Sequence, residues 1–190
     1  MGTFRSALRA LLLAFASVAA SAPAVAADAR VRFELQIDAS EPVAGAAIVV
    51  RQGSDAIREI VLDAANLAGK PAGDGRITRA DGALIWQPPA TGGALRYEVK
   101  LDHQRPGRLR PGHDSIVADR FALFRGERAF PIRSWRRAGR STLEGELSVQ
   151  LPRGWSLITP YLPDAAGRQV IRNPGARLPR PIGWIIAGDL

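Results

Sequence analysis

His103 and His113 are the only two imidazoles in this 190-residue chain, and any histidine-bound metal centre would have to be built on them. A zinc peptidase typically grips its ion with two histidines four apart on a helix, with a glutamate beside the first. These two stand ten apart in a Pro-rich segment. Asp102 and Asp114 add carboxylates, but acidic neighbours are common in loops, so the group reads as solvated loop residues. The absence of cysteine excludes thiol nucleophiles and thiolate metal sites. No Gly-x-Ser-x-Gly elbow occurs. His113, Asp114 and Ser115 are consecutive, and neighbours along a strand point to opposite faces, so they cannot converge as a triad. The glycines between Gly69 and Gly75 lack the Lys-Ser/Thr of a phosphate loop. Glu144 and Glu146 share one strand face near a turn, which reads as a solvated hairpin edge rather than a glycosidase pair. The expectation is a chain without catalytic, metal or cofactor residues of its own.

One segment has a different chemistry. Arg133-Ser134-Trp135-Arg136-Arg137-Ala138-Gly139-Arg140 mixes four arginines with an indole. Arg133, Trp135, Arg136, Arg137 and Arg140 are therefore the candidate contacts for an anionic partner, the guanidiniums gripping phosphates and the indole stacking on a ring. The plainer reading, which we favour, is a basic loop whose Trp135 folds back over a sheet edge. Trp86, Trp155 and Trp184 lie in or beside predicted strands, where large side chains fill a core, with a sugar-binding platform as the alternative.

The elements that must position these residues follow a two-residue rhythm. In residues 30–38 the odd positions Val31, Phe33, Leu35 and Ile37 are apolar and the even ones charged or polar, the signature of a half-buried strand. The pattern returns at Leu95, Tyr97, Val99 and Leu101, and at Leu147, Val149 and Leu151. Further strands are predicted at 47–51, 57–62, 83–87, 116–124, 156–159, 169–172 and 184–187. Turn signals such as Asp81-Gly82, Pro152-Arg153-Gly154 and Asn173-Pro174-Gly175 separate them. A short helical turn is expected at 63–67, and residues 104–112 read as a long exposed loop. The predicted fold class is all-β, mainly an antiparallel β-sandwich with long loops.

Residues 1–27 read as a signal peptide: Arg5 and Arg9, an uncharged apolar stretch, then Ala22-Pro23-Ala24-Val25-Ala26-Ala27 with a small-residue cleavage site. Removal leaves one domain, 28–190, with a net charge of about +6 once the two leader arginines are taken from +8. The expected location is periplasmic or secreted, with no later segment able to span a bilayer. Export argues against nucleic acid as a natural ligand. The apolar strand from Trp184 to Leu190 has no polar tail behind it, which points to a shortened chain or to a partner covering this C-terminal edge.

The order of segments carries a resemblance. The early alternating strand, Leu84-Ile85-Trp86 before a turn, Leu95-Arg96-Tyr97-Glu98-Val99, the stretch 119–125 and Leu151-Pro152-Arg153-Gly154-Trp155-Ser156-Leu157-Ile158-Thr159-Pro160 resemble the N-terminal domain of the glycyl aminopeptidase family. The closing Arg180-Pro181-Ile182-Gly183-Trp184-Ile185-Ile186-Ala187-Gly188 resembles the stretch leading towards that family's catalytic domain. The resemblance runs over roughly 30–190. It implies a β-rich domain preceding a thermolysin-like zinc domain bearing H-E-x-x-H, which has no counterpart here, so no catalytic residue carries over. The first functional expectation is thus a non-catalytic β-domain that supports, and shapes substrate access to, a zinc peptidase domain. The second is a self-sufficient periplasmic binding or adaptor module for an anionic polymer or partner protein.

Overall fold

A computed structural model describes residues 29–38, 41–53, 57–105, 112–139, 143–172 and 178–190. The predicted leader, Arg140 and the middle of the predicted 104–112 loop lie outside the described residues. In chain order the elements are β1 (Ala29–Gln36), β2 (Val43–Gln52), β3 (Ile57–Asp63), β4 (Leu67–Gly73), β5 (Arg76–Ala80), β6 (Ala83–Gln87), β7 (Gly92–Lys100) and β8 (His103–Arg105). They continue with β9 (Gly112–Ala118), β10 (Phe121–Arg125), the four-residue helix α1 (Gly126–Ala129), β11 (Ile132–Arg137) and β12 (Leu143–Gln150). The last are β13 (Ser156–Ile158), β14 (Gln169–Ile171) and β15 (Trp184–Gly188). No helix among the described residues is long and apolar enough to cross a membrane.

The strands form three sheets. The largest has the order β14-β12-β1-β2-β7-β4, the second β13-β15-β10-β9-β8, and the third β11-β3-β6-β5. Almost every pairing is antiparallel, as expected from the closely spaced turn signals. The exception is β1 with β12, which run parallel in register from Ala29↔Leu143 to Gln36↔Gln150. A parallel pair needs a long connection between its strands, and here all of β2 to β11 lies in it.

Alternation along β1, β7 and β12 aims one face of the large sheet inward. Val31, Phe33, Leu35, Ile48, Leu95 and Val99 from that face are buried with Ile60, Leu62, Leu84 and Trp86 from the four-stranded sheet. Ala122, Phe124, Ile185 and Ala187 from the five-stranded sheet join the same cluster. The result is a sandwich in which one six-stranded layer is covered by two smaller sheets. Phe130, just after α1, meets Phe33 edge to face at 5.1 Å between ring centroids, a favoured aromatic geometry. The buried Tyr97 hydroxyl donates to the Ala129 carbonyl at 3.1 Å, and burial raises its phenol pKa strongly.

Asp74 joins two of the sheets. Its carbonyl accepts the Trp86 indole N–H at 2.7 Å, its Oδ2 accepts the Ala94 N–H at 2.9 Å, and its own N–H donates to the Ala94 carbonyl at 2.9 Å. The chain turns here from β4 of the large sheet into β5 of the four-stranded one. Gly73 permits the approach, because a Cβ there would sit 2.2 Å from the Ala94 carbonyl oxygen.

Several expectations need correction. Residues 63–67 form no helical turn: Asp63 ends β3 and its Oδ1 accepts the Ala65 N–H at 3.0 Å, an Asx-type turn into β4. The strand expected across 116–124 is two strands, β9 and β10, with a turn at Asp119 and Arg120. The segment read as a basic loop is the strand β11. Residues at both ends of the predicted 104–112 loop are paired, β8 with β9.

Replacing Phe33 with alanine is expected to cost about 4 kcal/mol, as for other fully buried aromatics. Asp74→Ala should cost about 1 to 2 kcal/mol through the stranded Ala94 N–H. Urea unfolding curves of each variant check both; a Phe33→Ala loss below that of Asp74→Ala would mean that the core is not organised around this ring.

Candidate functional site

The basic segment folds as an edge strand because its neighbour supplies matching acids. β11 pairs with β3, and a register shift between Ile132 and Ser134 leaves Arg133 as the extra residue of a bulge. Arg136 lies directly opposite Glu59 and ion-pairs with it at 3.3 Å, while Arg133 reaches Asp63 at 3.1 Å. The Arg137 guanidinium lies 5.4 Å from the Trp135 ring centroid. Trp135 is half-buried and packs on the core. So the structure brings Arg133, Trp135, Arg136 and Arg137 together on one strand, with their cationic heads engaged by the protein itself. A bulge and charged side chains are also what keeps an edge strand from recruiting another chain.

The carboxylates record this pairing. The Gln87 amide, and after it Arg136, hold Glu59 below the usual carboxylate range. The Ala65 N–H, and after it Arg133, do the same for Asp63.

The other chemical candidates are dispersed. His113, Asp114 and Ser115 are successive residues of β9, with Gln104 opposite His113 and His103 opposite Ser115. Glu144 and Glu146 do not sit on a hairpin edge. They face Arg30 and Arg32 across the parallel pair, inside the large sheet, and the Arg30 Nε donates to Glu144 at 2.8 Å. Trp86 is fully buried and Trp155 is half-buried, but Trp184 is 48% exposed and does not fill the core.

That exposure marks a surface the sequence identified only by its end. The stretch from Trp184 to Leu190 is not an open edge: β15 is hydrogen-bonded to β10 on one side and β13 on the other. What is open is a face. The register sets Phe121 beside Gly188, Leu123 and Ile158 on either side of Ile186, and Arg125 beside Trp184. Among the described residues, the exposed large apolar side chains are Phe121, Ile158, Leu162, Ile182, Trp184 and Leu190. Every one belongs to these three strands or to a segment running into or out of them. Scattered exposed apolar residues need no explanation, whereas their gathering on and beside adjacent strands makes this face a candidate contact surface.

Local chemistry holds this face in place. The Tyr161 hydroxyl donates to the Ile182 carbonyl at 2.8 Å and accepts the Ile182 N–H at 2.5 Å. Glu127 accepts the Gly183 N–H at 3.0 Å and ion-pairs with Arg125 at 2.6 Å. Arg125 in turn lies 5.7 Å from the Trp184 ring centroid, a cation–π contact at the rim. Gly188 has no Cβ to collide with Phe121, whose own Cβ would be 2.8 Å away.

No family model matches the sequence, and no curated protein matches it. Among solved structures the fold is similar to aminopeptidase A of Legionella pneumophila, solved with aspartic acid bound, with a TM-score of 0.40 and 11% identity. It is also similar to an M1 zinc metallopeptidase from Deinococcus radiodurans, with a TM-score of 0.45 and 16% identity. The matches cover 88% and 83% of this chain but only 22% and 41% of the lengths of those two proteins.

Because Glu59 and Asp63 have folded pKa values below their ordinary ones near 4.5 and 3.8, their contribution to stability is complete above those ordinary values. It fades as pH falls through the lowered ones. Melting temperature should therefore drop on acidification below about pH 4.5, and a Glu59→Gln, Asp63→Asn double variant should show a shallower acid limb. Parallel acid limbs in the two proteins would show that these pairs hold nothing together.

Proposed function

We propose that this chain is the non-catalytic β-domain of an exported aminopeptidase-like protein, and that the open face of its five-stranded sheet seats a zinc peptidase domain. The observation that carries the reading is that Phe121, Ile158 and Trp184 lie exposed on adjacent strands of this sheet, with Leu162, Ile182 and Leu190 in the segments adjoining them, while the other sheets leave no large apolar side chain exposed among the described residues. Burying such a patch stabilises an interface by roughly 25 cal/mol per Å² of apolar surface removed from water. The resemblance of residues 180–188 to the stretch that leads towards a catalytic domain supports the choice of occupant. The guanidinium of Arg125 at the rim favours a partner surface with an apolar centre and an acidic margin.

In this role the domain acts by position. A face built on β-strands moves little, so it fixes the orientation of whatever docks there and limits how peptides reach it.

Two measurements test the proposal. The genomic reading frame past codon 190, or an adjoining gene, should encode a domain with H-E-x-x-H; a stop codon followed by unrelated genes would count against the reading. In solution the unpartnered chain should self-associate and bind a hydrophobic dye, and a Trp184→Ser, Ile158→Ser double variant should be monodisperse with an unchanged melting temperature. A wild-type chain that is already monodisperse and dye-free would remove the basis for docking.

A further inference from the structure

The six-stranded sheet turns its other face away from the core, and a shallow pit of about 270 Å³ lies near the middle of that face. Strand register builds it. Ser148 of β12, Glu34 of β1, Ala47 of β2 and Arg96 of β7 stand side by side in one row across four strands. In the next row Gln150, Gln36 and Gly45 occupy the first three of those strands. Leu35, Ala46 and Tyr97, which alternate with them, are buried in the core, so the side chains of the two rows point outward. Two short residues on β2 therefore make a floor, and longer ones wall it from β1, β7 and β12. Glu98, the β7 member of the second row, lies over Gly69 of β4 instead, where a Cβ would meet its Oε2 at 2.7 Å.

The fold itself does not ask for glycine at this floor. Gly45 has no positive φ, and a Cβ on it would have the Gln36 Cβ as its nearest neighbour at 3.8 Å, an ordinary contact. Glycine weakens a strand interior, and where neither a turn nor packing requires one it marks a place that something else approaches closely. The walls are a mixed set of donors and acceptors. A carboxylate, a guanidinium and two amides each present two hydrogen-bonding atoms side by side, and Ser148 adds a hydroxyl. Arg96, Gln36 and Gln150 have no hydrogen bond from their side chains among the described residues. Glu34 has the Arg32 Nε at 2.8 Å and stays 39% exposed.

We propose that the pit holds one ring of a neutral saccharide. A pyranose carries adjacent hydroxyls round its rim, each both donor and acceptor, and C–H groups on its faces. The paired hydroxyls fit the planar side chains of the walls, and a C–H face fits the Ala47 methyl and the bare backbone of Gly45. An ion is gathered by charge of one sign, whereas here Glu34 and Arg96 face each other across β2. The volume is just under the roughly 300–1,000 Å³ of pockets for drug-sized ligands, which suits a single ring. This site goes beyond the docking of a peptidase domain, and its evidence is independent of the apolar face.

The test is a nitrogen-15 NMR titration of the purified chain with glucose, galactose and N-acetylglucosamine in turn. At least one sugar should shift the amides of Gly45 and Ala47 saturably, with a dissociation constant in the millimolar range usual for so small a ligand. Gly45→Val puts a side chain favoured in strands into the floor, so it should abolish binding while the melting temperature stays level or rises. Arg96→Gln and Gln36→Ala should each weaken binding about fivefold, the loss of one hydrogen bond. Arg120→Gln, on the turn between β9 and β10 in another sheet, should change it by less than about twofold. Sodium sulfate and glycylglycine serve as ionic competitors. The proposal is overturned if none of the three sugars gives saturable shifts at Gly45 and Ala47, or if the Gly45→Val protein binds as the wild type does. It is equally overturned if sulfate or glycylglycine produces those shifts at lower concentration than every sugar.

Discussion

The inward side chains of β1 are the constraint on which the rest of the structure depends. Val31, Phe33 and Leu35 are at most 1% exposed, and the strand that carries them is flanked by β2 on one side and β12 on the other. A slip of one residue would turn Arg30, Arg32 and Glu34 into the core, which no nearby group is placed to neutralise. The register of both neighbours is thereby set, and through them the position of the whole large sheet. The two smaller sheets have only to cover the inward face, which they do with Trp86, Phe124 and Ile185.

Once that core is closed, what remains on the surface sorts into two kinds of chemistry. Around β11 the cations meet acids of the adjacent strand, so the arginine-rich character of the segment is largely spent inside the molecule. Around β15 the apolar side chains are only partly covered: Trp184 meets Arg125 on its ring and is still 48% exposed. The contrast explains why the more conspicuous motif is the less available one: charge close to opposite charge is satisfied locally, whereas a half-exposed indole keeps apolar surface in water.

Most of the sheet framework could be read from residue patterns. β1, β7 and β12 have clean alternation, and the limits of β6 at Ala83 and Gln87 were those expected. The strands that escaped notice had little apolar content to show. β4 and β5 are mostly glycine, alanine, arginine and lysine, held by backbone pairing with only Leu67 and Ile77 leaning on the core. β11 has just Ile132 and Trp135 to mark its inner face, and the bulge at Arg133 breaks their rhythm. The parallel partnership of β1 and β12 has no local signature at all, because it is decided by packing between distant segments. The apolar C-terminal stretch was legible as a strand but not as one paired on both sides, since a sequence does not reveal that β15 lies between β10 and β13. The pit over β2 gathers residues from four strands, so no spacing announces it.

The parallel pairing of β1 with β12 also orders events in time. A strand from the chain's beginning occupies the middle of the large sheet, yet one of its flanks stays bare until residues 143–150 arrive. Closing so long a loop is entropically costly before any contact rewards it, and assembly dominated by such distant partnerships is slow. A nascent polypeptide of this kind stays unfolded until its final third is available, and an amputated version ending before β12 would have a frayed, aggregation-prone centre rather than a smaller stable domain.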